Sequence, residues 1–180
     1  MTALQPLFID ITWGAGGITK DLTMAISEYA QKYFNVEVLM HLTCTSLTKN
    51  QIREILHSAK KAGIQNILAL RGDPPKAKQQ WEPVEGGFHT ASELVRFIRD
   101  EFGSYFCIGV AGFPEGHPQS KQDLATDVRY LRDKVNAGAD FILTQFFYDV
   151  AVFQTFLSMA REEGITCPII PGPKKEITTS

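Results

Sequence analysis

The sequence predicts an α/β fold built on parallel strands, and three observations lead to this prediction. Short runs rich in Ile, Val, Leu and Phe alternate with longer segments whose apolar residues recur at helical spacing. The strand-like runs are continuously apolar, as in parallel strands that are covered on both faces. Six such runs alternate with five helical segments along the 180 residues. This order fits an open doubly wound sheet, or a closed (β/α)8 barrel of which the chain supplies six strands.

The strands and helices are predicted in chain order from these runs. The strand runs are residues 7–12, 37–43, 66–70, 106–111, 141–145 and 167–171. Each segment between two runs places its apolar residues on one helical face. In chain order the five faces are formed by Leu22, Ile26, Tyr29 and Tyr33; by Ile52, Ile55, Leu56 and Ala59; by Leu94, Val95 and Ile98; by Leu124, Val128, Leu131 and Val135; and by Phe153, Phe156, Leu157 and Ala160.

Capping residues and glycines mark where the helices begin and end. Thr48 with Gln51, and Thr90 with Glu93, have the spacing of a capping box at a helix start. Three glycines stand where a helix should end and a strand follows, and they form a weak internal repeat: Gly63, Gly138 and Gly164. The repeating unit is therefore a helix, a glycine stop and a buried strand.

Composition bounds the class of protein. Eighteen basic residues against 20 acidic ones give a net charge of -2, so electrostatics give no reason to expect a nucleic-acid or membrane partner. Three widely spaced cysteines indicate a reducing compartment rather than a disulfide framework. No apolar stretch reaches the ~18 residues of a membrane helix, and no secretory signal is evident at the start. We therefore expect a cytoplasmic protein.

Three kinds of site are disfavoured by the sequence. In the turn after the first strand, Thr19 stands in place of the last glycine of the dinucleotide-binding fingerprint. His41 and Cys44 are three residues apart on a strand and point to opposite faces, so no metal site is predicted. Cys44 and Ser46 lack the sharp turn that exposes a nucleophile.

The residues at or just after the ends of five predicted strands are unusually polar as a set. Because barrel enzymes carry their chemistry at the carboxyl ends of the strands, these residues predict one functional site. They are Thr12, Trp13, His41, Thr43, Arg71, Gly72, Asp73, Phe113, His117 and Gln145. For any one of them, the plainer interpretation is that a strand becomes solvated there.

Several motifs in a fixed order resemble one enzyme family. They are residues 10–13 (DITW), 41–44 (HLTC), 69–74 (ALRGDP), 116–118 (GHP), 137–140 (AGAD), 144–147 (TQFF) and 170–172 (IPG). Over residues 7–172 the chain resembles methylenetetrahydrofolate reductase, whereas residues 173–180 depart from the family pattern. Residues 80–82 (QWE) and 85–88 (EGGF) resemble the eukaryotic branch of that family.

The resemblance implies a fold and a domain assignment. Residues 1–180 would form a single, partial FAD-binding (β/α)8 (TIM) barrel domain whose six parallel strands resemble strands 2 to 7. The family's catalytic glutamate lies on the first strand, and a folate-contacting arginine lies on the eighth. Neither matches a residue of this chain, and the chain has no room for the regulatory domain of the eukaryotic enzymes.

The resemblance also implies roles for individual residues. Positions that match the family's FAD contacts are Thr12, Trp13, His41, Arg71, Gly72, Asp73, Thr90, Ala91, Phe113, His117, Asp127 and Lys134. Thr90 and Phe113 each replace a tyrosine of the family pattern. His117, Asp127 and Lys134 match residues near the ribose and diphosphate, where a cation suits phosphate. Asp73 and Gln145 match substrate-contacting positions, and Asp73 is the one catalytic residue assigned.

The implied activity is the reduction of 5,10-methylenetetrahydrofolate to 5-methyltetrahydrofolate, in one-carbon and methionine metabolism. FAD would be the cofactor and NAD(P)H the reductant, with NADPH favoured, and the full-length family would form homo-oligomers. One alternative is a catalytically inactive truncated form that retains part of the flavin site or associates with a full-length partner. Another is an unrelated barrel aldolase or phosphate-binding enzyme.

Overall fold

A computed structural model describes residues 6–12, 20–34, 36–73, 82–117 and 123–172. The strands are β1 (Phe8–Ile11), β2 (Glu37–Thr43), β3 (Asn66–Leu70), β4 (Cys107–Gly112), β5 (Phe141–Thr144) and β6 (Ile169–Ile170). The helices are α1 (Lys20–Phe34), α2 (Lys49–Lys61), α3 (Ala91–Phe102), α4 (Leu124–Asn136) and α5 (Val150–Glu162). The predicted strict alternation of strand and helix is confirmed.

The chain divides into two compact units, Met1–Ile108 and Gly109–Ser180. In the first unit, β2 pairs in parallel with β1 and with β3. In the second unit, β5 pairs in parallel with β4 and with β6. The α/β class with parallel strands is therefore confirmed, whereas the assignment of residues 1–180 to a single domain stays a prediction.

Consecutive residues of the inner strands are buried, as the continuous apolar runs predict. In β2, Val38, Leu39 and Met40 are all buried, and so are Ile67, Leu68 and Ala69 in β3. Because successive side chains of a strand point to opposite faces, burial of three in a row means that both faces are covered. Among the described residues, no helix is both long enough and apolar enough to cross a membrane.

The last strand is shorter than predicted. The apolar run over residues 167–171 forms only the two-residue strand Ile169–Ile170. Pro168 and Pro171 flank it, and a proline has no N–H group to donate to a neighbouring strand. The carbonyl of Pro168 still accepts from Ile142 N at 2.9 Å, so the proline ends the strand without losing its place beside β5.

The apolar face of α1 differs from those of α2 and α3. Leu22, Ile26, Tyr29 and Tyr33 share one face as predicted, but each is 46% to 62% exposed. The buried face of α1 instead carries the small residues Thr23, Ser27 and Ala30. Two hydrogen bonds make burial of these hydroxyls tolerable: Ser27 Oγ donates to Thr23 O at 2.7 Å, and Thr23 Oγ1 donates to Thr12 O at 3.3 Å. In α2 and α3 the predicted apolar faces are buried in full.

The two predicted capping boxes differ. At the start of α2 the box is complete, because Gln51 N donates to Thr48 Oγ1 at 3.3 Å and Thr48 N donates to Gln51 Oε1 at 2.9 Å. At the start of α3, Thr90 Oγ1 accepts from Glu93 N at 3.2 Å. The carboxylate of Glu93, however, accepts from His89 N at 2.8 Å rather than from the cap residue itself. Thr90 is thus confirmed as a helix cap.

The three helix-ending glycines share one hydrogen-bonding pattern. Each has a positive φ: +77° at Gly63, +118° at Gly138 and +81° at Gly164. In each case the next residue donates its N–H to the carbonyl five positions before it: Ile64 to Ala59 at 3.0 Å, Ala139 to Lys134 at 3.3 Å, and Ile165 to Ala160 at 3.0 Å. This is the Schellman motif, and the residue after each glycine is buried. The weak sequence repeat therefore has a structural basis.

Candidate functional site

The predicted site residues fall into two groups, one in each unit. The first-unit group is Thr12, His41, Arg71, Gly72, Asp73, Thr90 and Ala91; the second-unit group is Phe113, His117, Asp127, Lys134 and Gln145. Trp13 lies outside the described residues. Members of both groups directly follow strands: Thr12 follows β1, Arg71 follows β3 and Gln145 follows β5. The expected location at the carboxyl ends of strands is thus observed for each of these residues.

A buried hydroxyl holds the turn at residues 71–73. Thr45 Oγ1 lies 3.1 Å from Arg71 O and 3.1 Å from Asp73 O. Gly72, between them, has a φ of +87°, and a Cβ built on it would lie 2.5 Å from Thr45 Oγ1 and 2.9 Å from Thr43 Cβ. Only glycine fits at this position, because both the backbone conformation and the space exclude a side chain. The carboxylate of Asp73 is exposed at the end of this turn.

Cys44 is a structural thiol in this unit. It is 1% exposed, and its Sγ donates to Leu70 O at 3.4 Å. Burial, with the negative charge of Glu93, raises the pKa of Cys44 to about 12. At neutral pH the side chain is therefore the protonated thiol, which is a poor nucleophile. Cys44 contributes packing beside the site rather than covalent chemistry.

His41 presents an unsatisfied ring nitrogen. Its Nε2 is buried and makes no hydrogen bond within the part of the chain that the structure describes. The carboxylate of Asp10 lies within ion-pair distance, with Oδ2 at 3.5 Å from Nε2. Burial lowers the pKa of His41 below the ordinary value of 6.5, although the negative charge of Asp10 acts in the opposite direction. A bound polar ligand could donate to or accept from this buried nitrogen, which makes no hydrogen bond among the described residues.

The lowered pKa of His41 predicts a pH dependence of stability. Below pH 6.5 the unfolded chain protonates this residue more readily than the folded chain does. The free energy of unfolding should therefore fall as the pH falls. One group changes this free energy by at most about 1.4 kcal/mol per pH unit. Urea unfolding of the wild type and of His41→Gln between pH 7.5 and 5.5 measures this pH dependence of the free energy of unfolding. We expect a shallower pH dependence in the variant; equal slopes would contradict the assignment.

In the second unit, four predicted residues form one cluster. Lys134 Nζ donates to Ala111 O at 2.9 Å and lies 5.9 Å from the centroid of the Phe113 ring. The rings of Phe113 and His117 meet edge to face, with centroids 4.5 Å apart. Asp127 Oδ2 accepts from His117 N at 2.9 Å, which ties the loop after β4 to the first turn of α4. A half-buried cation, an imidazole and an aromatic face are thereby brought together.

Gln145 is held by its backbone and leaves its side chain exposed. Its N–H donates to Gly112 O at 2.7 Å, which continues the β4–β5 pairing by one residue. Two positions later, Phe147 is buried and stacks on Phe153 with centroids 4.9 Å apart. The backbone around Gln145 is thus anchored on both sides, and its side-chain amide is exposed to solvent.

Two residues that contact the first-unit group escaped the sequence reasoning. Thr45 follows a strand directly after Cys44, and a threonine there carries no motif that distinguishes it from a solvated strand end. Asp10 lies within the resemblance motif at residues 10–13 but was assigned no role. Within the described residues, no three His, Cys, Asp or Glu side chains are grouped closely enough to hold a metal ion.

Comparison with known proteins gives a consistent result. The family model for methylenetetrahydrofolate reductase matches residues 1–173. The chain is 49% identical to methylenetetrahydrofolate reductase (NADH) 1 of Zea mays, over 96% of this chain and 30% of that protein. It is 48% identical to methylenetetrahydrofolate reductase 2 of Saccharomyces cerevisiae, over 94% of this chain and 29% of that protein. It is 39% identical to a probable methylenetetrahydrofolate reductase (NADPH) of Caenorhabditis elegans, over 92% of this chain and 25% of that protein.

A crystal structure of 2,3-dimethylmalate lyase is similar in fold. Its TM-score is 0.57 at 13% identity, and the alignment covers 87% of this chain and 61% of that one. At this identity the likeness concerns the fold alone. The chain spans 30% or less of the length of the three eukaryotic relatives named above.

Proposed function

Since the chain belongs to the methylenetetrahydrofolate reductase family, we propose that it contributes to the reduction of 5,10-methylenetetrahydrofolate to 5-methyltetrahydrofolate by NAD(P)H. Membership also makes its six parallel strands part of a (β/α)8 barrel, which confirms the predicted fold class. The observation that carries the proposal is the match of the family model over residues 1–173. The activity is that of an oxidoreductase.

The residues present fit FAD, the cofactor that the resemblance implies. Three features support this proposal. The buried Nε2 of His41 has no hydrogen-bond partner among the described residues and would be satisfied by a polar edge of the cofactor. Lys134 places a half-buried positive charge beside Phe113 and His117, which suits a diphosphate. Gly72 allows the chain to turn at the end of β3 and present Arg71 and Asp73.

The chain's own residues would then bind and orient the cofactor and the two substrates. When bound, FAD would accept a hydride from the nicotinamide and supply one to the folate. Arg71 and Asp73 would be presented by the fixed turn after β3, and the exposed amide of Gln145 would contact the folate and the nicotinamide in turn. Thr12, Trp13, Thr90 and Ala91 keep their proposed role as further cofactor contacts.

The reductant, the compartment and the assembly belong to the same proposal. We expect NAD(P)H as reductant; the names of the relatives divide between NADH and NADPH, so the preference for NADPH stays a prediction. A cytoplasmic location agrees with the small number and wide spacing of the three cysteines. The expected homo-oligomer can be measured by light scattering of the purified chain.

Titration of the purified chain with FAD tests the proposal. We expect a flavin absorption band that stays with the protein on gel filtration, and NAD(P)H–menadione reductase activity. Lys134→Met should weaken FAD binding about tenfold, since it removes one charge-assisted contact. Lys60→Met, on the exposed side of α2, is the matched control and should bind FAD as the wild type does.

Two results would change this conclusion. A folded chain that stays colourless at saturating FAD would contradict the proposed flavin site. A chain that binds FAD and oxidises NAD(P)H without reducing the folate would favour the second candidate, an inactive form that retains part of the flavin site.

A further inference from the structure

The turn that presents Arg71 and Asp73 is held by one side chain from another strand end. Thr45 follows β2, 26 residues before Arg71 and 28 before Asp73. Its Oγ1 lies at 3.1 Å from both carbonyl oxygens, and its side chain is buried. A hydroxyl has one proton to donate, so the two carbonyls share it. The carbonyls on either side of Gly72 therefore converge on a single donor.

The packing around Gly72 adds a second, independent constraint. The position of an added Cβ on Gly72 lies 2.5 Å from Thr45 Oγ1 and 3.2 Å from Thr45 Cβ. The Thr45 side chain thus fills the space directly beneath the turn, in addition to bonding its carbonyls. Cys44, the residue before it, fixes the same region because its N–H donates to Leu70 O at 3.1 Å. Residues 44–45 and 70–73 are thus joined by one backbone hydrogen bond from Cys44 and by the side-chain hydroxyl of Thr45.

From these contacts we infer that Thr45 is a positioning residue: its hydroxyl fixes the Arg71–Gly72–Asp73 turn and so fixes where the Arg71 and Asp73 side chains point. The inference rests on the proposed function only for what those side chains then bind. The turn itself can be measured without any cofactor. Both carbonyls accept from this one hydroxyl, so its removal should release the turn locally.

Cleavage by an arginine-specific protease reports directly on the turn. The bond between Arg71 and Gly72 lies inside it, and a protease cuts a chain only where the backbone opens. Thr45→Val keeps the shape of the side chain and removes the hydroxyl; we expect cleavage at this bond to be about tenfold faster. Cleavage after Arg96, inside α3, is followed by mass spectrometry as an internal measure of global unfolding.

Serine and alanine at position 45 form a second matched pair that differs only in the hydroxyl. Thr45→Ser should restore slow cleavage after Arg71, whereas Thr45→Ala should not, and this pair decides the question if Thr45→Val fails to fold. Thr155→Val is the control, because Thr155 Oγ1 also donates to a backbone carbonyl, that of Ala151, but on an exposed helix. It should leave cleavage after Arg71 unchanged.

FAD affinity separates this inference from the proposed function. If the wild type binds FAD, we expect the variants without a hydroxyl to bind it about tenfold more weakly and Thr45→Ser to bind it normally. If the wild type binds no FAD and cleavage after Arg71 still follows the hydroxyl, the proposed function fails and the role of Thr45 in the turn stands. Equal cleavage rates after Arg71 in the serine and alanine variants would overturn the inference.

Discussion

Replacing Phe156 by alanine is expected to lower the free energy of unfolding by about 3 to 5 kcal/mol. Phe156 is 1% exposed and lies on the buried face of α5. Its Cζ lies 3.0 Å from the position of a Cβ built on Gly112, so the ring packs directly on the backbone of β4. Alanine would leave a cavity that this backbone cannot fill. Since domains are stable by about 5 to 15 kcal/mol, the loss is a large part of the total.

Phe146→Ala is the matched control in the same unit. Phe146 is 59% exposed, so the same truncation should change the free energy of unfolding by less than about 0.5 kcal/mol. Urea unfolding followed by circular dichroism measures both variants. Similar losses at the two positions would mean that α5 does not cover β4 as described.

The comparison of Phe146 with Phe147 also illustrates what the sequence could predict. Adjacent aromatic residues at a strand end are most simply interpreted as core, yet only Phe147 is buried, whereas Phe146 and Tyr148 are exposed. Periodicity locates an apolar segment but does not decide which neighbour turns inward. In α1 it likewise located the helix, although the face that packs on the strands is the one with small residues.

Helix ends were predictable at the level of single residues, because capping depends on local chemistry. Thr48 and Gln51 form their box, and Gly63, Gly138 and Gly164 adopt the positive φ that their positions require. In contrast, the pairing of Thr45 with the turn at residues 71–73 joins two strand ends that are distant in sequence. No local pattern encodes such a contact, so it became visible only when β2 and β3 were placed side by side.

Candidate site residues were predictable in kind but not in detail. The rule that functional residues lie at the carboxyl ends of barrel strands selected His41, Arg71 and Gln145. The family resemblance added Asp127 and Lys134. Neither indicated that the backbone N–H of His117 donates to Asp127, or that the ring nitrogen of His41 lacks a partner among the described residues. These features depend on side-chain geometry and burial, which a sequence without its fold does not contain.

Asp73→Asn is expected to slow reduction of the folate by about a hundredfold or more, while reduction of the flavin by NAD(P)H changes by only a few fold. The carboxylate is exposed at the end of a turn that Gly72 and Thr45 hold in place. Opening the methylene bridge of the folate develops positive charge, which a nearby carboxylate stabilises and a neutral amide does not. Hydride transfer from NAD(P)H to the flavin involves no such opening of the methylene bridge. The two half-reactions should therefore respond differently to the loss of one negative charge.

Stopped-flow measurement of the two half-reactions, each started separately, tests this difference. Asp100→Asn, which removes a carboxylate from the exposed side of α3, is the matched control and should leave both rates unchanged. Equal losses in the two half-reactions of Asp73→Asn would point to a damaged turn rather than to a missing charge. Cleavage after Arg71 distinguishes these explanations, because a damaged turn is cut faster and a turn that has lost only its charge is not. A selective loss with unchanged cleavage would identify Asp73 as acting through its carboxylate on the folate.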